Sequence, residues 1–284
     1  MSKKKALVVC GPTASGKSEV SDALAEVLSE ENGGFVPTLV VDSMQVYREI
    51  PKITNQARRR TAELVGIVSV TERWNVANHK ARAEQIVADT ETPFVLDAGT
   101  GMYLNAIILD VPLAPEVAPS TRRIAENLVS GAENHRRASR QKELELAGVP
   151  SRRSIWDGEP RYDTAVIYLR PNREALDFAI SRRSEKIARE GLGEAAKLME
   201  MESTGSQVNA SVADSIGVRE LAEHLSGWLT LEEARSRMTT RTLQLARRQI
   251  RWFDKLSQTL RGRVPTAVLE KPKDVNTMHG NMWA

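Results

Sequence analysis

Apolar residues come in short unbroken runs separated by stretches of helical period. Ala6-Leu7-Val8-Val9-Cys10, Thr38-Leu39-Val40-Val41, Phe94-Val95-Leu96 and the stretch from Tyr162 to Leu169 lack a polar face. Such runs predict strands buried on both sides, as in a parallel sheet. Between them, Glu19 to Glu30 carries Val20, Ala23, Leu24, Val27 and Leu28 at helical spacing. Pro171-Asn172-Arg173 opens a helix that runs to Glu190 and stops at Gly191. Thr230-Leu231-Glu232-Glu233 is a capping box for a helix reaching about Leu256, with Leu231, Ala234, Met238, Leu245, Trp252 and Phe253 as its core-facing stripe. Strands alternating with helices predict an α/β fold with a parallel sheet flanked by helices. Residues 112–160 fall between core elements and read as a small, mostly helical, basic inserted subdomain. That divides the chain into an α/β core (1–111 and 161–262), the insert, and a tail (263–284) without periodicity, expected to be loose.

The joint between the first strand and the first helix carries the chemistry. Gly11-Pro12-Thr13-Ala14-Ser15-Gly16-Lys17-Ser18 fits G-x-x-x-x-G-K-[ST]. Backbone N–H groups of such a P-loop cradle a di- or triphosphate, the lysine reaches the outer phosphates, and the Ser/Thr hydroxyl ligates Mg²⁺. Strand, glycine loop and helix N-terminus together concentrate positive potential on a bound phosphate. The expected fold is therefore P-loop NTPase-like, the expected cofactor is Mg²⁺, and its protein ligand is Ser18.

Ligands of open parallel sheets sit beyond the carboxyl ends of the strands. Asp42-Ser43-Met44-Gln45-Val46-Tyr47-Arg48 follows the second strand, and Asp97-Ala98-Gly99-Thr100-Gly101-Met102-Tyr103-Leu104 follows the third. Asp42 and Thr100 should thus converge on the P-loop. A carboxylate there can bind Mg²⁺ through water or accept a proton from a nucleophile; taken alone, an Asp-Ser pair also serves as a helix N-cap or Asx-turn.

Charge adds a second partner. The net charge is only +3, but Arg235 to Arg263 holds nine Lys/Arg against a single acid, Asp254. A further basic stretch covers His135 to Lys142. Clustered arginines are the footprint of a phosphate backbone, and two clusters flanking a phosphate site favour RNA over a merely solvated face. A single cysteine, Cys10, excludes an internal disulfide and a cysteine-rich zinc site. No apolar run is long enough to span a membrane, and the basic Lys3-Lys4-Lys5 leads into a strand rather than a leader sequence, so a cytoplasmic monomer is expected.

GPTASGKS, DSMQVYR and AGTGMYL, in this order, resemble the tRNA dimethylallyltransferase (tRNA isopentenyltransferase) family, bacterial type. Thr240-Arg241 through Trp252-Phe253 is similar to the family's T-R-x-x-A-K-R-Q-x-x-W-F helix, and Arg136 through Glu143 resembles its Q-R-x-x-R-A-L-E. The resemblance runs from residue 6 to about residue 256. It implies prenyl transfer: dimethylallyl diphosphate in the P-loop is attacked at C1 by N6 of an adenine in a tRNA anticodon loop, and pyrophosphate leaves. It further implies that Lys17 stabilises the leaving group, that Asp42 is the general base, and that Thr100 touches the target nucleotide. RNA contacts are implied for Asp42, Ser43, Met44, Gln45, Thr100, Arg122, Arg137, Arg140, Arg248, Gln249 and Arg251.

The chain departs from that family in places. Pro51 through Ala57 stands where D-x-G-T-A-K-P is usual, and Val65-Gly66-Ile67-Val68 replaces a paired histidine. Ala98 replaces a glycine, and the insert is short. Two other readings use the same residues: a transferase acting on a free adenine nucleotide, and a catalytically silent RNA-binding paralogue.

Overall fold

The structure, a computed structural model, describes residues 3–129, 131, 135–149 and 154–277, with the side chains of residues 136, 137 and 275–277 outside that description. Chain order gives β1 (Lys5–Cys10), α1 (Lys17–Asn32), β2 (Thr38–Val41), α2 (Val76–Asp89), β3 (Phe94–Ala98) and α3 (Gly101–Ile108). The insert supplies α4 (Pro119–Leu128) and α5 (His135–Leu146). There follow β4 (Asp163–Leu169), α6 (Arg173–Glu190), α7 (Leu192–Ser203), α8 (Ala210–Ala213), α9 (Val218–Leu225), α10 (Leu231–Leu260) and β5 (Thr266–Leu269).

The five strands form one parallel sheet in the order β2-β3-β1-β4-β5. Alternation along β1 explains its unbroken apolar run. Leu7 and Val9 pack with Val20, Leu24, Ala25 and Leu28 of α1, whereas Ala6, Val8 and Cys10 enter the core beneath α2, α3 and α10. Both faces of the strand are covered, so no position is free to be polar. The caps behave as their sequences require. Asn172 accepts from the Ala175 N–H at the start of α6, Gly191 follows its end, and Thr230 with Glu233 closes a reciprocal box at the start of α10.

Three features differ from the sequence reading. On α1 the buried face holds Asp22 while Ala23 is exposed, because Asp22 has a buried cationic partner. The tail expected to be loose begins with β5, whose register pairs Val166–Leu169 with Thr266–Leu269; residues 278–284 lie outside the described residues. Finally, residues 46–70 form almost no regular structure, yet Val46, Tyr47, Ile50, Ile53, Val68 and Val70 build a second core with α6, α7, α9 and α10. That core carries the segment following Asp42.

His79 ties α2 to the site-forming strand. Its ring is fully buried; Nδ1 accepts from Trp74 Nε1 at 3.0 Å, leaving Nε2–H to donate to the Val40 carbonyl at 3.0 Å. Burial pulls its pKa down to about 4, only partly offset by the Val40 carbonyl and the Asp42 charge. The fold thus favours the neutral ring. The associated stability is present above pH 6.5 and is lost as the pH falls toward 4, about 3 kcal/mol in all. In urea titrations, the stability advantage of the parent over His79→Gln should shrink by about 2 kcal/mol between pH 7.5 and pH 4.5. An advantage that does not change with pH would show that the ring is not held neutral.

Candidate active site

The P-loop leaves β1 at Cys10 and enters α1 at Lys17. Its turn needs two residues in the left-handed region, Ala14 (φ +62°) and Gly16 (φ +83°). At Gly16 the lack of a Cβ matters twice, since an added Cβ would lie 2.7 Å from Pro272 Cγ. The first-turn N–H groups of α1 have no intrahelical acceptor and point out of the helix end, where the helix dipole favours an anion.

Lys17 is 9% exposed, and its ammonium is 3.4 Å from the Pro12 carbonyl. Burial lowers its pKa below the usual lysine value, while the charges of Asp97 and then Asp42 oppose the shift. Asp42 sits where β2 ends. Its Oδ1 accepts from the Met44 and Gln45 N–H groups at 2.8 and 3.3 Å, which is the Asx-turn reading of this residue. Its Oδ2 has no hydrogen-bond donor among the described residues. One oxygen therefore fixes the side chain and the other remains available.

Thr100 N-caps α3 by position, but its hydroxyl accepts from the Ser43 N–H at 3.2 Å instead of capping its own helix. This bond joins the loops after β2 and β3. Gly99 lies at the centre: a Cβ built there would be 3.0 Å from Asp42 Oδ2 and 3.5 Å from Lys17 Nζ. Carboxylate and ammonium share one crevice without forming an ion pair.

Helix α10 closes the crevice from above. The Gln249 amide accepts from the Thr13 N–H at 2.9 Å and donates to the Gly99 carbonyl at 2.8 Å, clamping the P-loop to the β3–α3 loop. Three residues on, Trp252 lies against Gly101, where a Cβ would fall 2.1 Å from its ring, and its Nε1 donates to Asn105 Oδ1 at 3.1 Å.

The sequence profile of the IPP transferase family matches residues 45–147 and 130–256. The chain is 56% identical to the tRNA dimethylallyltransferase of Rubrobacter xylanophilus, over 96% of its own length and 94% of the relative. The chain belongs to the IPP transferase family. The tRNA dimethylallyltransferase of Rickettsia felis is 29% identical over 90% of this chain and 91% of its own. The tRNA isopentenylpyrophosphate transferase of Bacillus halodurans shares the fold, with a TM-score of 0.70 and 24% identity, over 99% of this chain and 97% of that one.

Within this IPP transferase the expected residues separate into groups. The P-loop, Asp42, Ser43 and Thr100 meet around Gly99. Met44 and Gln45 follow on the same loop, Met44 packing on the second core. Gln249, expected on RNA, instead spends both ends of its amide on the protein backbone. Arg122 and Arg140, also expected on RNA, converge on the buried Glu143 at 3.3 and 2.6 Å, the first pair tying α4 to α5 and the second lying within α5. Arg140 also donates to the Pro115 carbonyl. The Arg137 side chain lies outside the described residues. On α10, Arg235, Arg237 and Arg241 pair with Glu232, Glu223 and Glu220, whereas Arg248 and Arg251 are exposed and pair with no carboxylate among the described residues.

Sequence reasoning missed Arg183. It projects from α6 beside the site and donates to the Thr54 carbonyl at 3.4 Å. Burial lowers its pKa from the usual guanidinium value and the Asp42 carboxylate opposes that shift. Its only sequence signal is a polar residue one turn from the apolar face of α6, which any solvated helix also shows. Asp97 was likewise passed over; its side chain is 1% exposed, a rare state for a carboxylate without a task.

Gln249→Ala should weaken binding of inorganic pyrophosphate about tenfold and cost about 1–3 kcal/mol of stability, since it leaves a backbone donor and a backbone acceptor unpaired. Binding of an anticodon stem-loop should change far less. The opposite pattern in calorimetry, with the stem-loop lost and pyrophosphate unaffected, would make Gln249 an RNA contact instead of a clamp.

Proposed function

We propose that this protein transfers a dimethylallyl group from dimethylallyl diphosphate to N6 of an adenine in a tRNA anticodon loop, beside the anticodon. The carrying observation is the approach of Asp42 Oδ2 and Lys17 Nζ to the same point above Gly99, with neither neutralising the other. The names of the relatives agree with this reading.

The diphosphate lies on the open N–H groups of the P-loop, with Lys17 and Arg183 beside it. N6 attacks C1 of the dimethylallyl group, the C1–O bond breaks, and the electron pair leaves with pyrophosphate. Negative charge grows on the departing oxygens, where a desolvated ammonium and fixed backbone dipoles stabilise it more strongly than water does. The N6 proton goes to Asp42 Oδ2. An adenine amine is a weak base because its lone pair is delocalised, so its proton becomes acidic only as the C–N bond forms. An ordinary carboxylate about 3 Å away then suffices. Thr100, oriented by the Ser43 N–H, borders the pocket for the target base.

The oxygen donors here suit Mg²⁺. No group of three or more His, Cys, Asp or Glu among the described residues could hold a metal. A cation bound at the Ser18 hydroxyl would take its other ligands from phosphate and water, which is the habit of Mg²⁺. When bound it adds Lewis-acid stabilisation of the leaving diphosphate.

The RNA reaches this crevice as a single-stranded loop with its target base turned out. Arg248 and Arg251, exposed and without a carboxylate partner among the described residues, grip its phosphates, while Arg122 and Arg140 serve by building the insert hairpin. Among the described residues no helix is long and apolar enough to cross a membrane.

Purified protein supplied with dimethylallyl diphosphate, Mg²⁺ and an anticodon stem-loop should yield N6-isopentenyladenosine and pyrophosphate. Asp42→Asn should lower kcat by about 10²–10⁴ while leaving the affinity for stem-loop and pyrophosphate within a few-fold. AMP prenylated as efficiently as the stem-loop would replace the tRNA reading with a free-nucleotide one. An undiminished kcat in Asp42→Asn would remove Asp42 from proton transfer.

A further inference from the structure

Behind the P-loop lies a buried charge cluster that the transfer reaction does not use. Arg58, just after the 51–57 segment that departs from the family pattern, has its guanidinium between Asp22 of α1 and Asp97 of β3. The Arg58–Asp22 distance is 2.7 Å and the Arg58–Asp97 distance 2.5 Å, and the three side chains are 5%, 4% and 1% exposed. Arg58 also donates to the Ser18 carbonyl at 3.3 Å. Asp22 is fully engaged: Oδ1 takes two Arg58 nitrogens and Oδ2 accepts from the Arg59 N–H. Asp97 is not. Its Oδ2 takes Arg58, but its Oδ1 is buried with no hydrogen-bond partner among the described residues.

Two buried carboxylates against one guanidinium leave a negative charge uncompensated. A buried unpaired charge is costly enough that a nearby cation will be drawn to it. Lys17 is that cation. A Cβ on Gly99, two residues beyond Asp97, would lie 3.5 Å from the Lys17 ammonium, and the Asp97 charge opposes the effect of burial on Lys17, although the two do not form an ion pair and the ammonium lies near the Pro12 carbonyl. The groups facing Lys17 are Asp97 from β3, Asp42 from the β2 end, Arg183 from α6 and Cys10 from β1.

We propose that Arg58 is a positioning residue for the diphosphate site. By occupying one oxygen of Asp97 and anchoring it to α1, it prevents the buried carboxylate from drawing Lys17 back out of the P-loop. The ammonium is held near its phosphate-facing place by a carboxylate that is already half satisfied. The proposal rests on the reading of Lys17 as a diphosphate ligand, and it adds a condition: Asp97 is harmless to that role only while Arg58 is present.

The test is the affinity for inorganic pyrophosphate at fixed Mg²⁺, measured by calorimetry on the full chain. Arg58→Met should weaken binding about tenfold or more, because Asp97 then pairs with Lys17. Arg58→Met combined with Asp97→Asn should return the affinity to within about threefold of the parent, although both variants lose thermal stability. Asp22→Asn should lower the melting temperature and leave the affinity within about threefold. Arg58→Gln, which keeps one hydrogen bond to Asp97, serves for the same comparison if Arg58→Met does not fold. A purely structural role for Arg58 gives the opposite result: affinity would follow stability across all variants, with no rescue by Asp97→Asn, and the proposal would be overturned. A parent protein that does not bind pyrophosphate would overturn the reading of the P-loop, and this proposal with it.

Discussion

A lysine ammonium that must stay charged while out of water constrains everything around Lys17. Burial works against the charge, and the chain answers with Asp97 near the end of β3 and Asp42 just beyond the end of β2. That answer depends on sheet order. With β3 between β1 and β2, the carboxyl ends of all three strands open on one side, so Asp42 Oδ2 and Lys17 Nζ come within 3.0 and 3.5 Å of one point above Gly99. A crevice built this way can separate charge as a bond breaks without waiting for solvent to reorganise.

The site is closed by one long helix rather than by loops. Along α10, Gln249 pins the P-loop to Gly99, Trp252 packs on the start of α3, and Phe253 enters the main core. Asp254 then takes both Tyr168 and Arg170 at the end of β4. Successive residues of one helix thus fasten three strand ends. The arginines in the first half of the helix are paired with Glu220, Glu223 and Glu232, whereas Arg248 and Arg251 are exposed with no carboxylate partner among the described residues.

Much of what rested on local pattern was readable in the sequence. β1, β3 and β4 appear as unbroken apolar runs because both faces are covered, and α6 and α10 announce their starts through Asn172 and Thr230. The P-loop is legible because its backbone geometry demands particular residues. What escaped depends on partners far along the chain. Asp22 is buried only because Arg58, 36 residues later, reaches it. The 46–70 core has no period to detect, since its apolar residues are gathered by α6 to α10 and not by a helix or strand of their own. That Arg122 and Arg140 share Glu143 as a partner is likewise invisible in the basic pattern alone. β5 is a half-covered edge strand, so its residues carry little of the apolar signature that marks the inner strands.

The central claim is that one crevice handles an allylic diphosphate and an anticodon-loop adenine together. Mass spectrometry of nucleosides from total tRNA, in cells with and without this gene, tests it most directly. The account predicts that N6-isopentenyladenosine and any nucleoside derived from it disappear with the gene, and return with the parent gene but not with a copy carrying Lys17→Ala. An unchanged nucleoside profile, or full restoration by the Lys17→Ala copy, would contradict it.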